Sequence, residues 1–197
     1  MTQTPVRTRD GAATRARIEK EALRLFAEHG VEGTSIKDIA HAVGVADAAL
    51  YRHFPSKDEI ARALFCSHYI AIAEKIEAIG RAPRPFDEVV RDLIDLLCAL
   101  FDDEPDVFAF VLLSQHAHLR FVPERPNVVS ALRDIVMRAQ ARGEIAESDA
   151  DLAAAMALGT VLQPAVFKLY GRLPGPMRAL APQMTDAALR VLRTASY

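Results

Sequence analysis

The chain has 197 residues, of which 51% are hydrophobic and 25% are charged, and its formal net charge is -2. These values exclude a disordered or collagen-like chain and predict a globular protein with one large core or two small ones. The two cysteines are too few for a disulfide framework and lack the paired spacing of a zinc site.

Charge is unevenly distributed along the chain. Residues 1–57 hold nine Lys and Arg against seven Asp and Glu, whereas the remaining 140 residues hold 15 against 19. A polyanion would therefore be bound at the amino-terminal end. No apolar segment accompanies the first arginines, and the longest uncharged stretch, 152–167, is too short and too interrupted to span a bilayer. We expect a cytoplasmic protein that does not enter a membrane.

Apolar residues recur with helical spacing along most of the chain, and no segment alternates as a strand does. This pattern predicts an all-α fold. Residues 1–10 show no such period and are expected to form a flexible arm. The predicted helices cover residues 11–29, 35–44, 46–54, 57–79, 86–102, 105–119, 127–141, 149–170 with a kink at Pro164, and 178–196.

The most informative segment runs from Thr34 to Lys57. It contains two short helices joined at Gly44, a residue that permits the positive φ angle of a tight turn. The small side chain of Ala40 lets the two helices cross closely, and Val45 fills the space beneath the turn. Such a helix-turn-helix offers its second helix to the major groove of DNA.

With the preceding stretch 26–35, this segment resembles the DNA-binding domain of the TetR family of bacterial regulators. The resemblance covers about residues 14–60 and includes the motifs 36–40, 44–45 and 50–57. It implies a helix-turn-helix domain at 11–57, followed by a helical domain at 58–197 for ligand binding and dimerisation.

The resemblance also implies which residues contact DNA. Phosphate contacts fall on Thr34, Ser35, Tyr51 and Lys57, where helix N-termini, hydroxyls and a lysine suit anions. The bases are read from the third helix and the turn before it. The residues assigned to this role are Val45, Ala46, Asp47, Ala49, Arg52 and His53.

The third helix departs from the usual family pattern, because two methyl groups and a carboxylate replace hydroxyl and basic side chains. Ala46 and Ala49 can contact thymine methyls, and Arg52 can pair with guanine. Asp47 either accepts from a cytosine amino group or caps its helix. Four amino-terminal arginines either reach the DNA or solubilise the chain; they are Arg7, Arg9, Arg15 and Arg17.

The carboxy-terminal domain is expected to bind an unidentified small molecule and to form a homodimer through its last two helices. Candidate ligand residues, each equally explained by core packing, are Phe65, Tyr69, Phe101, Phe108, Gln115, His116 and Phe121. His116 and His118 point in different directions on a helix, so no metal site is predicted. No catalytic motif or cofactor motif is present, and an enzyme is not expected.

The sequence therefore predicts a dimeric, ligand-responsive repressor that binds a pseudo-palindromic operator in double-stranded DNA. Two recognition helices are needed because a single one reads too few base pairs. The alternatives are an activator of the same fold, a helical small-molecule-binding protein without DNA affinity, and a protein-interaction module.

Overall fold

The structure is a computed structural model that describes residues 7–194, with side chains from 11 to 193. Within this range the elements are helices, and no strand occurs. The helices are α1 (Arg7–His29), α2 (Ile36–Val43), α3 (Asp47–Tyr51), α4 (Lys57–Arg81), α5 (Phe86–Asp103), α6 (Pro105–His118), α7 (Val128–Ala141), α8 (Ala150–Leu169) and α9 (Ala181–Thr194). Two short 3₁₀ turns follow α6 and precede α9.

The predicted all-α fold is confirmed, and most predicted helices agree with the structure to within two residues. Three helices differ by more. Helix α1 begins at Arg7 and includes the last four residues of the predicted arm, α3 ends at Tyr51 instead of 54, and α9 begins at Ala181 instead of 178. Residues 1–6 of that arm lie outside the described part of the chain. So do the side chains of Arg7 and Arg9.

The chain divides into two compact units. The first unit comprises Met1–His68 and Ala109–Phe121, and the second comprises Tyr69–Phe108 and Val122–Tyr197. The chain passes from the first unit to the second inside α4, returns to the first inside α6 and enters the second again after Phe121. Sequence reasoning placed a boundary between residues 57 and 58 and did not assign any part of α6 to the amino-terminal unit.

The first unit is built around side chains that repeat on one face of each of its helices. Ile18 and Phe26 of α1, Ile39 of α2 and Leu50 of α3 are at most 2% exposed. Phe26 also stacks on Phe110 of α6, with ring centroids 5.8 Å apart. These contacts fix the short helices α2 and α3, which are too short to be stable in isolation.

The second unit packs α5, α7, α8 and α9 around an aliphatic core. Asp102, near the end of α5, accepts hydrogen bonds from the backbone N–H groups of Met177 (2.8 Å) and Arg178 (3.0 Å). This carboxylate therefore binds the start of the 3₁₀ turn before α9 and orients the last helix. Asp149 caps α8 by accepting from the N–H groups of Asp151 and Leu152.

Candidate nucleic-acid interface

Helix α2 begins with a complete capping box. The Ser35 hydroxyl accepts from the Asp38 backbone N–H at 3.2 Å, and the Asp38 carboxylate accepts from the Ser35 N–H at 2.8 Å. The Ser35 hydroxyl also donates to this carboxylate at 2.6 Å. These bonds to Ser35 hold the pKa of Asp38 below its usual value. The box fixes the first turn of an exposed helix whose N-terminus carries a partial positive charge.

The turn between α2 and α3 has the predicted geometry. Gly44 lies in the left-handed region at φ 74°, and Ala40 is 1% exposed beneath the crossing. Arg17 of α1 donates a hydrogen bond to the Val43 carbonyl at the end of α2. The guanidinium therefore satisfies an open carbonyl and attaches the turn to α1.

Arg15, although exposed, also contacts the end of the helix-turn-helix. Its guanidinium lies 4.1 Å from the centre of the Phe54 ring and donates to the His53 carbonyl at 3.3 Å. A further hydrogen bond joins it to Glu19 at 3.0 Å. Arg15 and Arg17 were predicted either to reach DNA or to solubilise the chain. In the structure the Arg15 guanidinium bonds to a carbonyl just after α3, and the Arg17 guanidinium bonds to the last carbonyl of α2.

Helix α3 is five residues long and buries only Leu50. Ala46, Tyr51 and Arg52 are exposed, while Asp47, Ala49 and His53 are partly exposed. The N-cap of α3 is Ala46, which provides no side-chain hydrogen bond. Asp47 is therefore not the cap residue; it lies in the first turn, where its charge is favourable to the helix dipole.

The phosphate-binding candidates line one open groove of about 550 Å³ in the first unit. Ser35, Tyr51 and Lys57 lie there with Asp47, and Lys37 joins them from the first turn of α2. Sequence reasoning missed Lys37, although a lysine two residues after a helix cap is a readable signal for a phosphate contact. With Arg52, which is exposed at the end of α3, this part of the domain carries two lysines and one arginine.

Two side chains in this groove are held by neighbours. Thr34 is 3% exposed, and its hydroxyl donates to the Gly30 carbonyl at 2.9 Å. That hydroxyl therefore stabilises the turn before α2. The Lys57 ammonium lies 3.6 Å from the carboxylate of Glu32, so a competing anion is already present where a phosphate would bind.

The seven predicted ligand residues are divided between the two units. In the first unit, Phe65 is buried and Gln115 is partly exposed. His116 and Phe121 are exposed. In the second unit, Tyr69 bonds to Asn127 at 3.4 Å, and Phe101 packs edge-on against Phe108 at 5.1 Å. Phe121 lines an open groove in the first unit.

The second unit contains a different cavity, of about 50 Å³, between α5, α7, α8 and α9. Its wall is made only of aliphatic residues, alanines and Phe86. Lining residues include Leu97, Leu132, Ala157 and Val161. The cavity offers no hydrogen-bonding side chain and suits an apolar group.

Helix α8 leaves an apolar stripe exposed. The stripe includes Leu152 (46% exposed) and Phe167 (47% exposed) of the helix. It continues to Tyr170 (71% exposed), which directly follows the helix. Ala155 and Gly159 lie between them on the same face, and a Cβ built on Gly159 would meet no atom within 4 Å. By length and composition alone, α8 is apolar enough to cross a membrane. No group of three potential metal ligands occurs among the described residues.

Comparison with known proteins gives a consistent result. Residues 18–64 match the family model of bacterial regulatory proteins, tetR family. The chain is 31% identical to the helix-turn-helix-type transcriptional regulator YerO of Bacillus subtilis over 124 residues, which are 61% of this chain and 41% of YerO. The first curated relatives are thus matched over less than half of their length, 38% to 45%.

Solved structures match over more of the chain. The TetR family regulator PfmR of Thermus thermophilus is 28% identical and superposes with a TM-score of 0.74, over 88% of this chain and 97% of PfmR. AibR, solved with isovaleryl coenzyme A and operator DNA, is 23% identical with a TM-score of 0.69, over 93% of this chain and 100% of AibR. The likeness to AibR shows a shared fold.

Proposed function

We propose that this chain is a DNA-binding repressor, because its residues 18–64 match the family model of bacterial regulatory proteins, tetR family. It binds a pseudo-palindromic operator as a homodimer in the cytoplasm and releases it when a small molecule binds. The observation that carries this proposal is the helix-turn-helix with an exposed α3 and a capped α2 N-terminus beside it.

The DNA backbone binds in the open groove at the N-terminus of α2. Backbone N–H groups at the start of α2, the Tyr51 hydroxyl and the Lys57 ammonium bind phosphates. Ser35 contributes through the capping box, because it fixes the direction of those N–H groups. Thr34 supports the same turn from inside, and its contribution is through the backbone.

The bases are read by α3 and its flanking residues. Arg52 pairs with a guanine, while Ala46 and Ala49 contact thymine methyl groups. Asp47, freed from a capping role, accepts from a cytosine amino group. Val45 and His53 lie at the two ends of this surface.

The dimer forms through the exposed stripe of α8, together with α9. An exposed glycine and alanine allow close approach of two helices, and the large apolar residues around them gain burial. Substituting Ala155 by Glu introduces a charge into this contact and is expected to shift the protein to monomers in sedimentation experiments. The matched control, Ala71→Glu, is at an exposed position of α4 and leaves the dimer intact.

The effector inserts an apolar group between α5, α7, α8 and α9. The cavity is about a third of the size of an engineered 150 Å³ cavity that holds benzene, so its walls must move apart to admit a larger group. The acyl coenzyme A bound by AibR is consistent with such a group. We expect a short branched acyl chain to bind and the second half of α4 to shift with it.

The experiment that tests the function is selection of genomic fragments by the purified full-length protein at a stated moderate salt concentration. An enriched inverted repeat supports the proposal, and Arg52→Ala should then lose about 1–3 kcal/mol on this repeat and relax one base position. Retention that is equal for all sequences contradicts it. Isovaleryl coenzyme A, with free coenzyme A as control, then tests release of the selected fragment.

A further inference from the structure

The first unit contains an open groove of about 700 Å³ that shares no lining residue with the ten predicted DNA contacts. Its walls are the end of α1 with the following turn, the first turns of α4, and the end of α6 with the 3₁₀ turn Leu119–Phe121. All of these segments belong to the same unit. A volume of this size is typical of small-molecule sites.

His118 presents an unused acceptor in this groove. The residue is 8% exposed, and its ring stacks on Phe65 at 5.4 Å between centroids. Nδ1 lies 3.0 Å from the Ser114 carbonyl oxygen, which can only accept, so Nδ1 carries the proton. Nε2 of the neutral ring is then an acceptor, and it has no partner among the described residues. A bound molecule with an O–H group would satisfy it.

Two guanidinium groups lie around one aromatic ring beside His118. Arg120 is 4.7 Å and Arg62 is 5.6 Å from the centre of the Phe121 ring, whose centroid lies 6.5 Å from that of His118. The Arg62 guanidinium forms a salt bridge with the Glu59 carboxylate, with 2.6 Å between Nη2 and Oε1. Arg120 has no carboxylate partner within the described part of the chain, so it can bind an anion.

The remainder of the groove limits which anion can bind. Leu113 and Phe121 are 62% and 42% exposed, so an apolar body would gain burial against them. Glu32, Asp58 and Glu59 lie on the walls formed by the turn and α4. A second negative charge on the ligand would be repelled by these carboxylates.

We propose that this groove binds a small monoanionic hydroxy acid with an apolar body. The carboxylate pairs with Arg120, the hydroxyl donates to Nε2 of His118, and the apolar body covers Leu113 and Phe121. The site is separate from the aliphatic cavity of the second unit. It can be measured without DNA, and its failure leaves the proposed repressor function untouched.

Mandelate is a suitable probe because two close analogues each remove one feature and a third replaces the hydroxyl by a charge. Phenylacetate lacks the hydroxyl, mandelamide lacks the charge, and phenylmalonate carries a second carboxylate in place of the hydroxyl. By titration calorimetry on the full-length protein at neutral pH, mandelate should bind once per chain. Phenylacetate should bind about 2- to 12-fold more weakly because it loses a neutral hydrogen bond. Mandelamide should bind at least about tenfold more weakly because it loses a charge-assisted bond, and phenylmalonate should also bind more weakly because it adds repulsion. Equal affinity of mandelate and phenylacetate would overturn the proposal.

A surface variant and a spectroscopic measurement localise the binding. Arg120→Gln should weaken mandelate binding about tenfold or more, whereas Arg91→Gln, an exposed arginine of α5, should not change it. In long-range proton–nitrogen spectra, Nε2 of His118 should be the unprotonated nitrogen and should shift on mandelate addition. An unaffected Arg120→Gln variant, or a proton on Nε2, excludes the site.

Discussion

Replacing Lys57 by Gln tests the phosphate-binding groove through salt dependence. Each phosphate that a protein neutralises contributes about 0.9 to the slope of log affinity against log salt. A symmetric dimer loses two such contacts, so the slope should become shallower by about 1.8. The ratio of the DNA affinity of the unsubstituted protein to that of Lys57→Gln should therefore fall by about twelvefold between 50 and 200 mM salt.

Substituting Glu32, which lies beside Lys57, should change DNA affinity in the opposite direction. Its carboxylate lies 3.6 Å from the Lys57 ammonium, and a phosphate that binds there must approach this negative charge. Glu32→Gln should strengthen DNA binding while costing little stability, because exposed ion pairs contribute at most about 1 kcal/mol. The two variants should thus move affinity in opposite directions.

Fluorescence anisotropy of a selected fragment at five salt concentrations measures both effects. Lys75→Gln is the matched control, since it removes one exposed lysine from the same helix α4. Its slope should differ little from that of the unsubstituted protein. If Lys57→Gln and Lys75→Gln give the same slope, Lys57 does not contact a phosphate and the groove is misassigned.

Three further predictions concern stability. Ser35→Ala should cost about 1 kcal/mol, or about 2–4 °C in Tm, because it removes the cap of α2. The lowered pKa of Asp38 stabilises the fold above the unfolded-state pKa, so the stability gap to Asp38→Asn should close as pH falls below about 4 in acid titrations followed by circular dichroism. Gly80→Ala should lose about 1–3 kcal/mol in urea unfolding, because its Cβ would lie 2.7 Å from Cδ1 of Ile135; Gly11→Ala, at a helical glycine of α1 with nothing within 4 Å of the added Cβ, is the control.

The helix-turn-helix could be predicted closely because its signals are local. A cap at Ser35, a glycine with positive φ at Gly44 and a small residue at Ala40 each act on backbone within a few positions. Their effects do not depend on the remainder of the fold. The bounds of α2 and the exposure of α3 therefore follow from about twenty consecutive residues.

The partners of Arg15 and Arg17 could not be predicted in this way. Their acceptors, the His53 and Val43 carbonyls, lie 38 and 26 positions further along the chain. Both carbonyls come near α1 only after three helices have packed, and an exposed arginine can bond to any carbonyl within its reach. Sequence alone leaves DNA and protein as equal partners for such a side chain.

The apolar cavity was not predicted for a further physical reason. The residues predicted to line a pocket were mostly aromatic, but large side chains fill space, and Phe65 and Phe108 are buried in packed cores. A void arises where packed helices carry small side chains at their crossing, as at Ala157 and Ala188. These alanines come from α8 and α9 and face residues of α5 and α7. The cavity that they leave therefore depends on the packing of all four helices. No single segment of the sequence carries a signal that predicts this cavity.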